Sequence, residues 1–168
     1  IRIAVPYTGM IVSTRETQKC RERLLELGIS QVSGGSKTSV GGYFQPMPEK
    51  EDSAQFDVSD RRPLDEVIKW LMELGYLPSF CTACYRNGRT GDRFMEICKD
   101  KQIHNFCHPN AILTLKEYLE DYASSETKAV GEKLIENEQK TLECPECVKL
   151  KVAEDLKKIE QGGRDFNF

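Results

Sequence analysis

Cys81 and Cys84 enclose only Thr82 and Ala83 in the polar stretch "CTACYRNGRT", and a third cysteine, Cys107, follows Cys84 after 22 intervening residues. A C-x2-C turn brings two thiolates close enough to grip one metal or cluster. A third thiolate from the start of a helix completes one face of such a site. Three thiolates leave a corner open. Structural zinc normally takes four protein ligands, whereas a 4Fe-4S cluster held by three cysteines offers its fourth iron to a non-protein ligand.

The surrounding residues suit an anionic guest. Arg86, Arg89 and Arg93 follow the first two thiols at short spacing. Helix starts near Asp92 and Pro109 would turn N–H groups towards negative charge. His104 and His108 bracket Cys107; either has the chemistry of a ligand, and His108 before Pro109 also reads as a helix-entry residue. Cys20 and Cys98 fall within helical patterns and read as packed thiols. Cys144 and Cys147 form a second C-x2-C, but 59 residues separate Cys84 from Cys144. Compact four-cysteine zinc sites use roughly 15 to 20. With Pro145 between them, they read as an incidental pair at a helix start. The alternative reading is a non-catalytic structural zinc-binding interaction module that uses Cys81, Cys84, Cys107 and one of His104, His108 or Cys144.

The elements that position these residues follow from periodicity. "IRIAVPYTGMIVSTRETQKCRERLLELGIS" reads as strand, loop, helix and turn, with the strand on "IRIAV", Ser13 and Glu16 as a capping box, and Gly28 as the stop. A second strand in "ISQVSG" makes a βαβ unit and hence a parallel pair. Residues 34–60 lack periodicity and read as a long loop, of the kind that usually has a function. Pro63 then opens a helix with Leu64, Val67, Ile68, Leu71 and Leu74 on one stripe, the Met and Trp beside them serving as core, and Gly75 ending it. "GDRFMEICKD" predicts a short helix, "HPNAILTLKEYLEDYA" a longer one with Pro109 in its first turn, and residues 126–162 a charged helical stretch.

Composition excludes several classes. A chain of 168 residues, 39% hydrophobic and 30% charged, can bury one ordinary core. Lys+Arg 24 against Asp+Glu 27 gives a net charge of -3, which attracts no nucleic acid. No apolar run approaches the roughly 18 residues of a membrane span, and no export signal is legible. Seven cysteines, an odd number, suit a reducing, cytoplasmic compartment better than a disulfide framework. "SGGSKTS" fails as a phosphate loop because Ser36 stands where glycine must precede Lys37. With two histidines and no G-x-S-x-G or H-E-x-x-H, hydrolase chemistry has no support.

"CTACYRNGRTGDRFM" followed by "CHPNAILTLKEYLEDYA" resembles the C-terminal domain of the HydG family, radical SAM tyrosine lyases that help mature FeFe hydrogenase. "IRIAVPYTGMIVSTRE" and "QVSGGSKTSVGGY" resemble the last strands of that family's barrel. The likeness covers about residues 1–125. It implies an α/β fold, with residues 1–60 as the terminal βα units and loop of a TIM-type (β/α)8 barrel and residues 61–168 as a mainly helical C-terminal domain. It also implies a chemistry: an adenosyl radical fragments tyrosine to p-cresol and dehydroglycine (2-iminoacetate), and an auxiliary 4Fe-4S cluster carrying an additional iron turns the latter into CO and cyanide for H-cluster assembly. Cys81, Cys84 and Cys107 fall on the auxiliary-cluster ligands. Ser33, Gly34, Gly35 and Ser36 fall where the barrel lines its SAM or tyrosine cavity.

The implied partners are tyrosine, SAM, the other hydrogenase maturation proteins and the N-terminal barrel portion of the same enzyme. The C-x3-C-x2-C that holds the family's radical-generating 4Fe-4S cluster occurs nowhere in the chain, which opens at Ile1 without methionine. The expectation is a part of a longer enzyme, inactive by itself.

Overall fold

Two-residue strands β1 (Ile11–Val12) and β2 (Gln31–Val32) pair in parallel, Ile11 opposite Gln31 and Val12 opposite Val32, around the helix α1 (Gln18–Glu26). A parallel βαβ unit is therefore present, but its first strand lies at Ile11–Val12 and not on "IRIAV". The computed structural model describes residues 1–6, 8–44 and 56–168; the middle of the long loop expected over 34–60, residues 45–55, lies outside them. The chain divides into two compact units, Ile1–Val67 and Ile68–Phe168. Among the described residues it is mostly helical, and the sheet is limited to these two short strands.

In the first unit, the strand expected on "IRIAV" is a turn. Val5 N–H donates to the Ile1 carbonyl at 2.9 Å, and the Arg2 guanidinium donates to the carbonyls of Pro6, Thr8 and Gly28 at 2.9, 3.3 and 2.6 Å. Ile1 and Ile3 are almost fully exposed, so the apolar alternation meets no face to pack on among the described residues. The cap of α1 is also displaced. Thr17 is the N-cap, its hydroxyl accepting from Cys20 N–H at 3.3 Å, while Ser13 Oγ accepts from Arg15 N–H in the turn before it. Gly28, at φ 88°, ends the helix as expected.

The centre of this unit is charged. Arg21 on α1 is fully buried and donates to Asp60 and to the Ser33 carbonyl. Asp60 also accepts from Arg62 Nε at 2.9 Å and Nη2 at 2.6 Å. Burial lowers the guanidinium pKa of Arg21, with Asp60 opposing; the Arg62 hydrogen bond holds the Asp60 carboxyl below its ordinary range against its own burial.

The unit boundary falls within α2 (Leu64–Glu73). Its stripe behaves as the sequence predicts at Val67, Ile68 and Leu71, and both Trp70 and Met72 are buried, whereas Leu64 and Leu74 at the two ends are exposed. Gly75, at φ 83°, stops it.

The second unit continues with α3 (Ala83–Arg86), α4 (Gly91–Lys99), α5 (His104–Asp121), α6 (Ser125–Thr141) and α7 (Glu146–Glu160). Helix α5 packs against both α6 and α7 and supplies Ile112, Leu113, Leu115 and Leu119, all at 1% exposure or less, to a core shared with Ile135, Val152 and Ile159. Burial at this level stabilises each side chain by about 1.5–3 kcal/mol relative to leaving it in water. Gly131 lets α6 approach closely: a Cβ there would lie 2.5 Å from Leu119 Cδ1.

Lys116 stands among these side chains with 4% of its side chain exposed. Its Nζ reaches Glu120, Glu132 and Glu160 at 2.9, 2.6 and 3.1 Å, one carboxylate from each of the three helices. Beyond Gly162 the chain runs back along α5: Arg164 pairs with Asp121, Asp165 N–H donates to Glu117 at 2.7 Å, and Phe168 N–H donates to Asn110 Oδ1 at 2.9 Å. Among the described residues no helix is long and apolar enough to cross a membrane.

Candidate metal centre

Cys81 and Cys84 sit on either side of the start of α3, whose first residue, Ala83, is fully buried and anchors the turn. Ala83 N–H donates to Cys81 Sγ at 3.4 Å, and Cys81 N–H donates to Ser79 Oγ at 3.3 Å. The turn closes where Arg89 N–H donates to the Cys84 carbonyl at 2.8 Å. The Ala83 amide is thus placed to hydrogen-bond the Cys81 sulfur.

Phe80 fixes this loop to α5. Its N–H donates to Thr114 Oγ1 at 3.2 Å, and its ring stacks on Tyr118 with centroids 5.0 Å apart. Helix α5 is also the element that carries Cys107, in its first turn, with Cys107 N–H donating to the Ile103 carbonyl at 2.8 Å. Helix α5 begins at His104, so Pro109 falls one turn later than its sequence position suggests.

Cys107 remains exposed at the surface of α5, yet the protein around its thiol pushes the pKa up to about 11, first by desolvation and then through the charges of Cys84, Cys81 and Cys98, with Arg89 opposing. Cys98, on α4, is likewise raised by burial and by Cys84. The three predicted thiols thus lie within reach of one another's charge, and Cys98 joins them. A thiol at about 11 keeps its proton at neutral pH, so a metal centre here must displace protons and then cancel the repulsion among the sulfurs.

Among the described residues, no three His, Cys, Asp or Glu side chains converge as they would on a single ion. Mononuclear zinc, with Zn–S near 2.3 Å, needs its sulfurs within about 4 Å of one another. A 4Fe-4S cubane is held by thiolates set further apart than the ligands of a single ion. The donor chemistry, all sulfur with amide and guanidinium groups near, fits such a cluster.

The three arginines have separate fates. Arg86 pairs with Asp165 at 2.6 Å, and Arg93 is exposed. Arg89 alone turns into the site, its guanidinium 4.6 Å from the Phe106 ring centroid and donating to the Phe168 carbonyl at 2.6 Å.

Of the fourth ligands weighed for zinc, His108 is paired with Glu138, Cys144 packs against the core, and His104 lines a cleft. His108 Nε2 lies 2.6 Å from Glu138 Oε2, and His104 and His108 together line a cleft with Lys101, Asn105, Thr141 and Glu143. Cys144 packs partly on the hydrophobic core while Cys147 is exposed, and the two stay near enough for the charge of one to act on the other. Cys20 is half-buried on α1.

Ser33, Gly34, Gly35 and Ser36 follow β2. Ser33 N–H completes the strand ladder to the Val12 carbonyl at 3.0 Å. A Cβ on Gly34 would lie 3.1 Å from Leu64 Cδ1 and 3.2 Å from Val67 Cγ1, and Gly35 adopts φ 64°, so both glycines have a packing reason.

This arrangement defines a class: a short βαβ unit joined to a helical bundle that presents a cluster of cysteine thiols. Residues 1–77 match the Biotin and Thiamin Synthesis associated domain. The chain is similar to two proteins named 2-iminoacetate synthase. It is 42% identical to that of Escherichia coli strain K12 over 62 residues, 37% of this chain and 16% of the relative. It is 36% identical to that of Salmonella typhimurium strain LT2 over 77 residues, 46% of this chain and 20% of the relative. It also superposes over 100% of its length on 36% of the crystal structure of HydG, a maturase of the FeFe-hydrogenase, with 53% identity and a TM-score of 0.91. The chain is a HydG-like C-terminal part, and it spans about a third or less of each of these three proteins.

Proposed function

We propose that this chain is the C-terminal portion of a radical SAM tyrosine lyase, the part that holds an auxiliary 4Fe-4S cluster through Cys81, Cys84 and Cys107. What carries the reading is the gathering of these three thiols by one helix and the loop docked on it, in a chain that is HydG-like throughout. Residues 1–60 are the last βα units and loop of the radical SAM barrel, with Ser33, Gly34, Gly35 and Ser36 at its SAM or tyrosine cavity, and residues 61–168 are the auxiliary-cluster domain.

When bound, the cluster with its additional iron would supply the site at which dehydroglycine from tyrosine is converted to CO and cyanide for hydrogenase assembly. The chain's own residues would hold the sulfurs, with Ala83 N–H donating to Cys81 Sγ and Arg89 bridging Phe106 and Phe168 beside them. SAM, the radical-generating cluster and the other maturation proteins would act in the longer enzyme.

The test is anaerobic reconstitution of the chain with iron and sulfide, in parallel with zinc, followed by metal and acid-labile sulfide analysis and EPR of the reduced sample. About four irons and four sulfides per chain are expected. One zinc that iron does not replace would overturn the reading.

A further inference from the structure

Arg89 touches both halves of the thiol site. Its backbone N–H donates to the Cys84 carbonyl at 2.8 Å, which fixes it to the C-x2-C turn. Its guanidinium lies 4.6 Å from the ring centroid of Phe106, the residue before Cys107, and Nη2 donates to the Phe168 carbonyl at 2.6 Å. Phe168 is held in turn by Asn110 on α5. The cation is therefore stationed between the two ligand-bearing segments. Its Nε is buried and finds no hydrogen-bond partner among the described residues. A buried N–H of this kind is costly unless something accepts from it.

We infer that Arg89 is a positioning residue that stations a fixed positive charge and an unspent donor at the thiol site, setting the reduction potential of the cluster held there. The inference rests on the cluster reading. The physical step is electrostatic. Reduction adds one electron to a cluster already anionic with its thiolates, so a cation nearby favours the reduced form more than the oxidised one. The guanidinium is part-buried against Phe106, which reduces solvent screening. Arg86 cannot substitute, because it is paired with Asp165.

The experiment is an EPR-monitored redox titration of the reconstituted chain, with iron content measured in parallel. Arg89→Gln is expected to retain its irons and to lower the equilibrium constant for reduction about tenfold, a shift of about 59 mV for a one-electron couple. Arg89→Lys, which keeps the charge, should recover most of that shift, and Arg86→Gln should leave the potential where it was. An unchanged potential in Arg89→Gln, an equal drop in Arg89→Lys, or an equal drop in Arg86→Gln each overturns the assignment. If Arg89→Gln loses its helical signal, Phe106→Leu carries the test, since it removes the supporting ring and keeps the charge: a smaller drop supports the inference and no drop defeats it. A wild-type chain that takes up no iron–sulfur cluster defeats the cluster reading itself, and the inference with it.

Discussion

Arg21 and Asp60, 39 residues apart in the chain, form an ion pair with side-chain exposures of 0% and 2%. It closes the first unit by tying α1 to the segment before α2 and, through the Ser33 carbonyl, to the end of β2. A charge buried this deeply contributes little net stability when paired and costs much when its partner is removed.

Asp60→Asn should therefore destabilise the first unit by about 3–5 kcal/mol at neutral pH. The pH dependence follows from the depressed carboxyl. Its stabilisation is fully present above the unfolded carboxylate value of about 3.9 and fades as pH falls through the lower folded value. Hydrogen exchange of α1, compared at pH 7 and pH 3, reads both effects. Equal protection of α1 in wild type and variant at pH 7 would show that Arg21 finds another counter-charge.

Lys116 poses the same question in the second unit with three partners. Burial alone would lower its pKa, and the carboxylates of Glu132, Glu120 and Glu160 more than offset that and raise it. A raised lysine contributes stability that is fully present below about 10.4 and is lost as pH climbs through the higher folded value. At pH 7, Lys116→Met should cost about 3 kcal/mol, the low end for a broken buried pair because Glu132 and Glu160 are partly exposed. Urea unfolding at pH 7 and at a pH above the ordinary lysine value of about 10.4 tests this. The penalty should shrink on the alkaline side, where the raised lysine's contribution is lost, and a constant penalty would assign the loss to packing alone.

Gly131 gives a steric prediction. Alanine in a helix interior is favoured over glycine by about 1 kcal/mol. Here, however, the new methyl would lie 2.5 and 2.7 Å from the two terminal carbons of Leu119, which is 1% exposed and has little room to withdraw. Gly131→Ala should lower stability by about 1–2 kcal/mol, the overpacking cost less the helix gain. Adding Leu119→Ala should make the pair of changes non-additive, with a coupling of at least about 0.5 kcal/mol in thermal or urea melts.

Helices were the legible part of this fold because their signals are local. Leu64, Val67, Ile68 and Leu71 repeat at helical spacing, Gly75 ends α2, and "GDRFMEICKD" encloses α4. The first strand was misplaced because "IRIAV" carries an apolar pattern without a packed face, and strand formation depends on a partner that sequence does not display. Ser13 and Glu16 have capping-box spacing, yet Thr17 offers the same hydroxyl four residues later and the helix begins there. At the site, the spacing of Cys81, Cys84 and Cys107 suggests a shared centre, whereas the loop-to-helix contacts beside them were not legible. The Phe80–Thr114 hydrogen bond spans 34 residues, and the burial of Arg21 depends on Asp60 at similar range.

Cys98 allows the thiol cluster to be partitioned. It reads in sequence as a packed residue on α4, but the structure brings it near enough to Cys84 and Cys107 for their charges to act on one another. If three cysteines hold the cluster and a corner stays open, Cys98→Ala should keep about four irons per chain, while Cys81→Ala, Cys84→Ala and Cys107→Ala each lose most of them. Loss of iron in Cys98→Ala comparable to that in Cys81→Ala would instead make Cys98 the fourth ligand. The site would then be closed, with no iron left to receive an exogenous group.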